Sequence, residues 1–393
     1  MHKQLVGRRM KQPQITKNSA LSDIPVFILA GGLATRLRPL TETIPKSLVE
    51  IDGLPFIDFQ LRYLSQQGIV RIVLCLGYLG NMVRDYVGDG SKWGLQVVYS
   101  FDGEKLVGTG GALARALRFY PCEIFFVLYG DSFLPINFQN VFEKYRSSSK
   151  PHLMTVFKNE NSFDKSNVQF DPQSGIRVYS KKSSHKDMLH IDYGLEILDK
   201  SLFENLAEGQ IFDLADLLSA GVANNQVEGF EVKQRFYEIG TPSGILDFSQ
   251  FISRKMIVLD RDGVLNAMTI EAATGLPDSP MNVGEVKLLD GVGEAILELN
   301  TLGYEVSIAT NQPAAAKGKS SRKALQEVHV LVVNLAQSKG GNIKSSHICW
   351  HRHEDHCLCR KPKPHLIFQA LGGHYSPKKS WMVGDRVTDL EAG

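Results

Sequence analysis

VFILAGGLATRLRPLTETIPKSL, residues 26–48, opens with five apolar residues, Val26–Ala30, whose length and β-branched content suit a buried strand. The run breaks at Gly31 and Gly32. The loop beyond carries Thr35, Arg36 and Arg38 ahead of Pro39, and Lys46 follows Pro45. Glycines let a backbone approach a ligand closely, and successive N–H groups of such a turn form an anion-binding concavity. Two arginines and a lysine add the charge that a polyphosphate requires. A Gly-Gly pair alone would mark an ordinary strand–turn–helix connection; the complete string reads as a phosphate cradle. Outward from it the rhythm continues. Residues 56–67 carry an amphipathic helix pattern closed by Gly68, residues 70–76 are a second buried strand, and Gly77-Tyr78 lead into another helix. Strands alternating with helices predict an α/β chain with a parallel, doubly wound sheet, whose ligands gather beyond the carboxyl ends of its strands.

Further along, Gly108-Thr109-Gly110-Gly111 opens a helix; the string fits a tight helix start as well as a loop whose backbone reads a base. Residues 124–128 form a strand ending in Tyr129-Gly130-Asp131-Ser132, where the carboxylate is a helix cap or a hard-cation ligand. Residues 190–198, HIDYGLEIL, are another strand, with Tyr193 either in the core or at a pocket. The lysine-rich residues 180–186 read as a solvated loop or, through Lys181 or Lys182, as a sugar-phosphate contact. Glu238 precedes Gly240-Thr241-Pro242.

LAGG-x-x-TRLRPLT followed by PKSL resembles the signature of the sugar-1-phosphate nucleotidyltransferases. The resemblance covers residues 23–252 and implies a Rossmann-like, GT-A-like mixed sheet. It also implies that Gly31, Gly32, Thr35 and Arg36 hold the β- and γ-phosphates of a nucleoside triphosphate, with Lys46 at the α-phosphate or the attacking phosphate. Gly108, Thr109, Gly110 and Gly111 become a second nucleotide loop, and Asp192, Tyr193 and Gly194 lie nearest the sugar. Asp131 and Glu238 hold Mg²⁺, although many members have aspartate at the latter position.

Residues 248–255 read as a helical or linker stretch, after which the pattern restarts. Residues 256–259 are a fresh buried strand running into Asp260-Arg261-Asp262-Gly263, so a second domain is expected over residues 253–393. A strand over residues 305–309 ends at Thr310-Asn311-Gln312; Arg360-Lys361-Pro362 follows, and Trp381–Val383 leads to Gly384-Asp385 with Asp389 beyond. These four strings, in this order, resemble the motifs of the haloacid-dehalogenase-type phosphatases, with a parallel sheet. The resemblance implies Asp260 as nucleophile and Asp262 as acid and base. It places Thr310 and Lys361 on the transferring phosphoryl group, Asn311 and Arg360 on the substrate side, and Mg²⁺ on Asp260, Asp385 and Asp262. Cys349, His351, Cys357 and Cys359 have the spacing of a closed structural zinc set, with His347, His353 and His356 as competing ligands and a free-thiol loop as the alternative. The arrangement resembles the D,D-heptose 1,7-bisphosphate phosphatases and the histidinol phosphatases, whose zinc orders a loop beside the active site. Members continue past the fourth motif, so the domain reads as shortened, with the edge facing Asp385 expected to be exposed or loose.

Bulk properties agree with a soluble enzyme. The 393 residues suit two or three domains, and the net charge of +2, with no basic stripe, argues neither for nor against nucleic acid, which is not expected as a partner. Residues 1–22 read as a mobile basic tail without a signal peptide's apolar core, and no run is long enough for a membrane span. Cys75 and Cys122 sit in apolar surroundings as buried thiols, consistent with the cytoplasm. Taken together, the two resemblances imply a bifunctional enzyme of nucleotide-activated heptose synthesis that uses a nucleoside triphosphate, GTP favoured, and a phosphorylated heptose. A mannose 1-phosphate guanylyltransferase with a silent zinc-stabilised second domain is the alternative, and homo-oligomerisation stays open.

Overall fold

The computed structural model describes residues 16–393 except 104–106, 163, 183–184, 205, 207–209, 273 and 373–374. The chain divides into two compact units. The first takes the chain through Leu33, then Arg71–Gly80 and Val97–Phe236; the second takes Ala34–Val70, Asn81–Gln96 and Tyr237–Gly393.

The first unit is built on a nine-stranded sheet. Its strands are β1 (Val26–Ala30), β2 (Arg71–Leu76), β3 (Gln96–Phe101), β4 (Ile124–Tyr129), β5 (His152–Lys158), β6 (Val168–Asp171), β7 (Gly175–Tyr179), β8 (His190–Asp199) and β9 (Val227–Val232). The order is β7-β6-β8-β4-β1-β2-β3, with β5 against β8 and β9 against β5. β1 lies parallel to both β2 and β4, in register Val26 with Ile72 and Phe126. This parallel centre is apolar along its length because both faces are covered. β8 runs antiparallel to β4 and β5, which makes the sheet mixed. Two helices matter for the site: α1 (Gly108–Phe119) and α2 (Leu214–Ala223).

At the carboxyl end of β1 the strands close tightly. Gly130 donates its N–H to Leu29 O at 2.9 Å, and a Cβ on Gly130 would lie 2.6 Å from the Ala30 Cβ. Gly130→Ala is therefore expected to cost roughly 1–3 kcal/mol through overpacking. Urea unfolding that matches the wild type would show that the strand ends have slack.

Of the basic tail, residues 1–15 lie outside the described residues. Lys17, inside the same stretch, donates to Ser148 O (2.8 Å) and Lys150 O (3.0 Å) and stacks over the Tyr145 ring.

The second unit holds a four-stranded parallel sheet. Its strands are β10 (Lys255–Leu259), β11 (Tyr304–Asn311), β12 (Ile343–Cys349) and β13 (Trp381–Val383), in the order β12-β11-β10-β13. On one face α3 (Val292–Thr301) and α4 (Arg322–Ala336) cover Ile257, Val306 and Ile308; on the other, α5 (His365–Leu371) covers Met256, Val258 and Ala309. α6 (Val387–Ala392) follows β13. The helix Phe56–Gln66 belongs to this unit and is buried from Phe56 through Leu64, polar residues included. A helix buried all round must pair its charges internally. Asp58 forms an ion pair with Arg62, Oδ1 to Nε 2.6 Å, and the Arg62 guanidinium lies over the Phe368 ring.

Candidate active sites

Sequence-selected residues gather at strand ends in each unit. In the first, Gly31 follows β1 where space is short: a Cβ there would lie 3.0 Å from Asp102 Oδ2 and 3.2 Å from the Gly77 nitrogen. Asp131, half-buried, accepts from Ser132 Oγ at 3.3 Å.

The Gly108–Gly111 stretch does something composition did not reveal. Gly110 and Gly111 donate their N–H groups to Phe212 O at 3.1 and 3.4 Å, and a Cβ on Gly110 would collide with the Phe212 ring. Thr109 Oγ1 accepts from Leu214 N at 2.8 Å, capping α2. These glycines make room for the chain that begins α2, so the helix-start reading describes their contacts. Beside Thr109 a cavity of about 310 Å³ opens, lined by Tyr179, Lys181, Lys182, Asp213 and Asp216 among others. Lys182 pairs with Asp216 at 2.6 Å. Tyr193 is buried against Phe236 as part of the core. Asp192 accepts from Tyr179 OH (2.9 Å) and from Gly194 N (3.0 Å).

In the second unit the loop 34–48 brings cations together. Thr41 Oγ1 donates to Ala34 O at 2.7 Å and pins the loop, which carries Thr35 and Arg36 exposed. A Cβ on Gly240 would lie 3.0 Å from Arg36 Nη2 and 3.7 Å from Lys46 Nζ. Arg36, Lys46 and the turn after Glu238 thus meet at one place. Glu238 itself is exposed.

Around the end of β10 the acids are packed more closely. Lys361 Nζ lies 3.0 Å from Asp260 Oδ2 and 2.5 Å from Asp389 Oδ1, and donates to Ala309 O at 2.7 Å. Burial pushes the Asp260 carboxyl up; Lys361 opposes this and Asp389 adds to it. Asp260, Asp385 and Asp389 offer oxygens within 4.8 Å of one another, a donor set suited to a hard divalent cation. Gly263, at φ +85°, is required here because a Cβ would strike the Asp385 carboxylate.

Asp262 is held differently. Arg261, fully buried, grips both its oxygens (3.0 and 2.9 Å), while Asn266 and Gln312 donate at 2.9 and 2.6 Å. Burial works to raise this carboxyl, but the Arg261 guanidinium and these hydrogen bonds outweigh it and hold the group below the usual range. Gln312 also donates to Thr310 Oγ1 at 3.0 Å. Asn311 exchanges hydrogen bonds with the Lys361 backbone, 3.1 Å each way, so its side chain positions the lysine rather than facing a ligand.

The cysteine loop closes on itself. Cys349 Sγ lies 3.7 Å from Cys357 Sγ and 3.8 Å from His351 Nδ1; Cys359 Sγ lies 3.7 Å from Cys357 Sγ and 3.3 Å from His351 Nδ1. Tetrahedral zinc with Zn–S about 2.3 Å and Zn–N about 2.0–2.1 Å separates its ligand atoms by roughly 3.5–3.8 Å. The four residues fit zinc. His347 bonds instead to Ser345 Oγ (3.1 Å), and neither His353 nor His356 joins the cluster. Arg360 donates to His351 O at 3.2 Å, tying the loop to the segment that carries Lys361.

Residues 26–255 match the nucleotidyl transferase family. The chain belongs to it. Residues 358–393 match the HAD-hydrolase-like family, and the chain is thus an enzyme with a nucleotidyltransferase and a HAD-type phosphatase part. The D-glycero-alpha-D-manno-heptose 1-phosphate guanylyltransferase of Campylobacter jejuni is 30% identical over 223 residues, 56% of this chain and 97% of that protein. The D-glycero-beta-D-manno-heptose-1,7-bisphosphate 7-phosphatase of Pseudomonas aeruginosa is 35% identical over 149 residues, 36% of this chain and 76% of that protein. A Bacillus anthracis structure described as a glucose-1-phosphate thymidylyltransferase shares the fold, with TM-score 0.52 and 19% identity over 57% of this chain and 93% of its own.

In this nucleotidyl transferase family member, sequence reasoning left three residues without a site role. Asp389 was read as part of the acidic fourth motif but not as a cation ligand; its place four residues after Asp385 was the available signal. Gln312 and Asn266 surround Asp262 and carry no sequence mark of their own.

Proposed function

We propose that the chain is a bifunctional enzyme that removes the 7-phosphate from D-glycero-D-manno-heptose 1,7-bisphosphate and transfers GMP from GTP to the resulting heptose 1-phosphate, releasing pyrophosphate. One observation carries this reading. A single chain is similar over its first part to a heptose 1-phosphate guanylyltransferase and over its C-terminal part to a heptose bisphosphate phosphatase, and the product of the second reaction is the acceptor of the first. The phosphatase relatives are named for the β anomer and the guanylyltransferases for the α. A chain that performs both steps must keep one anomer throughout, and the similarity to the guanylyltransferases supports α.

In the phosphatase step, with its domain at residues 253–393, Asp260 attacks the phosphorus and the heptose hydroxyl leaves, giving an aspartyl phosphate that water then hydrolyses. The Lys361 ammonium and the Thr310 hydroxyl neutralise and bind phosphoryl oxygens. Asp262 gives the departing heptose oxygen its proton and then, as the anion that Arg261 pairs with, takes one back from the attacking water. Mg²⁺ held by Asp260, Asp385 and Asp389 would offset the charge of the phosphoryl group.

In the transfer step, with its domain at residues 23–252, a phosphate oxygen of the sugar 1-phosphate attacks the α-phosphorus and pyrophosphate leaves. Positioning and charge neutralisation carry such a reaction, which is the work assigned to Arg36 and Lys46. Asp131 would hold Mg²⁺, a hard cation bound through one or two carboxylates and completed by the substrate phosphates. The cytoplasm is kept as the compartment because Cys75 and Cys122 are buried free thiols. The product suits assembly of a bacterial surface polysaccharide.

The test is pyrophosphate release by the full chain with D-glycero-α-D-manno-heptose 1-phosphate and each of GTP, CTP, UTP and ATP. GTP is expected to lead; a preference for another base overturns the assignment, and mannose 1-phosphate outperforming the heptose favours the hexose alternative. For the loop, one zinc per chain is expected by atomic emission. Cys357→Ser is expected to lose the metal and to lower the melting temperature of that part by roughly 5–10 °C. Metal-free wild type that melts like the zinc-loaded protein would contradict a structural zinc.

A further inference from the structure

Glu196 is a fully buried carboxylic acid in the middle of a sheet, between Val127 of β4 and Met154 of β5. An apolar residue would be cheaper there, because a buried acid carries a desolvation cost. What it touches explains its presence. Its side chain hydrogen-bonds to Asp192, four residues earlier on the same strand. In a regular strand four residues span about 13 Å, beyond the reach of the two side chains. The register of β8 against β5 shifts between Asp192 and Glu196, and Gly194 sits within the shift at φ +90°. This bulge brings the two acids together, and at its φ in the left-handed region Gly194 is the residue that takes the turn without strain.

Two carboxyl groups in one hydrogen bond share a proton. Glu196 keeps it: burial pushes this carboxyl well above the usual range and Asp192 adds to the effect, while Lys181 only partly opposes it. Asp192 therefore accepts from Glu196 as well as from Tyr179 OH and Gly194 N. Tyr179 and Lys181 both line the 310 Å³ cavity. The acid pair stands directly behind that wall.

We propose that Glu196 is a positioning residue for the phosphorylated-sugar acceptor: by donating to Asp192 it fixes Asp192, and through it Tyr179, at the wall of the cavity that receives the sugar. The proposal rests on the transferase reading above. It fits a site that must present a rigid polar wall to a polyhydroxylated ligand, because a buried polar network specifies one arrangement.

The experiment compares wild type, Glu196→Gln and Glu196→Leu as full chains, with D-glycero-α-D-manno-heptose 1-phosphate and GTP. Glu196→Leu is expected to raise KM for the sugar phosphate about tenfold, the size of one lost buried hydrogen bond, with KM for GTP unchanged. Glu196→Gln, whose amide still donates to Asp192, is expected to restore the sugar KM to within about twofold. An unchanged sugar KM in Glu196→Leu, or equal rises in both KM values, overturns the proposal. Infrared difference spectra at pH 8 separate its failure from that of the transferase reading. A carboxylic-acid carbonyl band present in wild type and lost in Glu196→Gln establishes the shared proton without any turnover, and its absence from wild type removes the pair. A wild-type chain that shows the band yet transfers to no sugar 1-phosphate overturns the transferase reading and, with it, the acceptor role.

Discussion

Asp260→Asn is expected to lower phosphate release from heptose 1,7-bisphosphate by at least about 10³-fold, while pyrophosphate release with GTP and heptose 1-phosphate stays at the wild-type level. The size follows from what the substitution removes. An amide is a poor nucleophile toward phosphorus, and it withdraws one of three oxygens from the acid cluster formed with Asp385 and Asp389. Folding should survive the change, because Asp260 is anchored through its backbone, with its N–H on Val383 O at 2.9 Å. Lys361 also keeps a partner in Asp389 and its hydrogen bond to Ala309 O. If wild type and variant release phosphate equally slowly, this part of the chain is a zinc-stabilised scaffold and the transferase works alone.

Asp131→Asn is the mirror experiment. Pyrophosphate release is expected to fall by roughly 10²–10³-fold, with phosphate release from the bisphosphate unaffected. An amide oxygen lacks the charge that a hard cation needs, and the deficit should shrink as Mg²⁺ is raised. The carboxylate is placed by backbone packing, since Gly130 is wedged against Ala30, so the side-chain change should leave the strand ends in position. A variant with full activity at low Mg²⁺ would mean that Asp131 is only a local hydrogen-bond acceptor for Ser132.

Much of this arrangement was legible because strong local patterns carried it. Val26–Ala30 is a central parallel strand as its composition implies, and the four spaced acids, hydroxyl and lysine of the C-terminal part do converge at the end of β10. The cysteine spacing picks out four side chains that lie together and could hold a metal. Other features depend on contacts that sequence order hides. Glycines that admit a ligand and glycines that admit Phe212 look the same in a string, and the N–H groups of Gly110 and Gly111 on Phe212 O depend on a contact that sequence order hides. Glu196 was invisible because its contact with Asp192 exists only through the bulge at Gly194. Tyr193, read as either in the core or at a pocket, is buried against Phe236. The grouping of Ala34–Val70 with the C-terminal part reflects a helix, Phe56–Gln66, buried on every face, while its amphipathic pattern implied one exposed side.

The most direct test of the two-step reading is one reaction: the full chain with D-glycero-α-D-manno-heptose 1,7-bisphosphate, GTP and Mg²⁺, its products followed by mass spectrometry. The expected result is GDP-heptose without a 7-phosphate, formed with equal amounts of orthophosphate and pyrophosphate. A nucleotide sugar that still carries the 7-phosphate, or orthophosphate release with no nucleotide sugar at all, would contradict it.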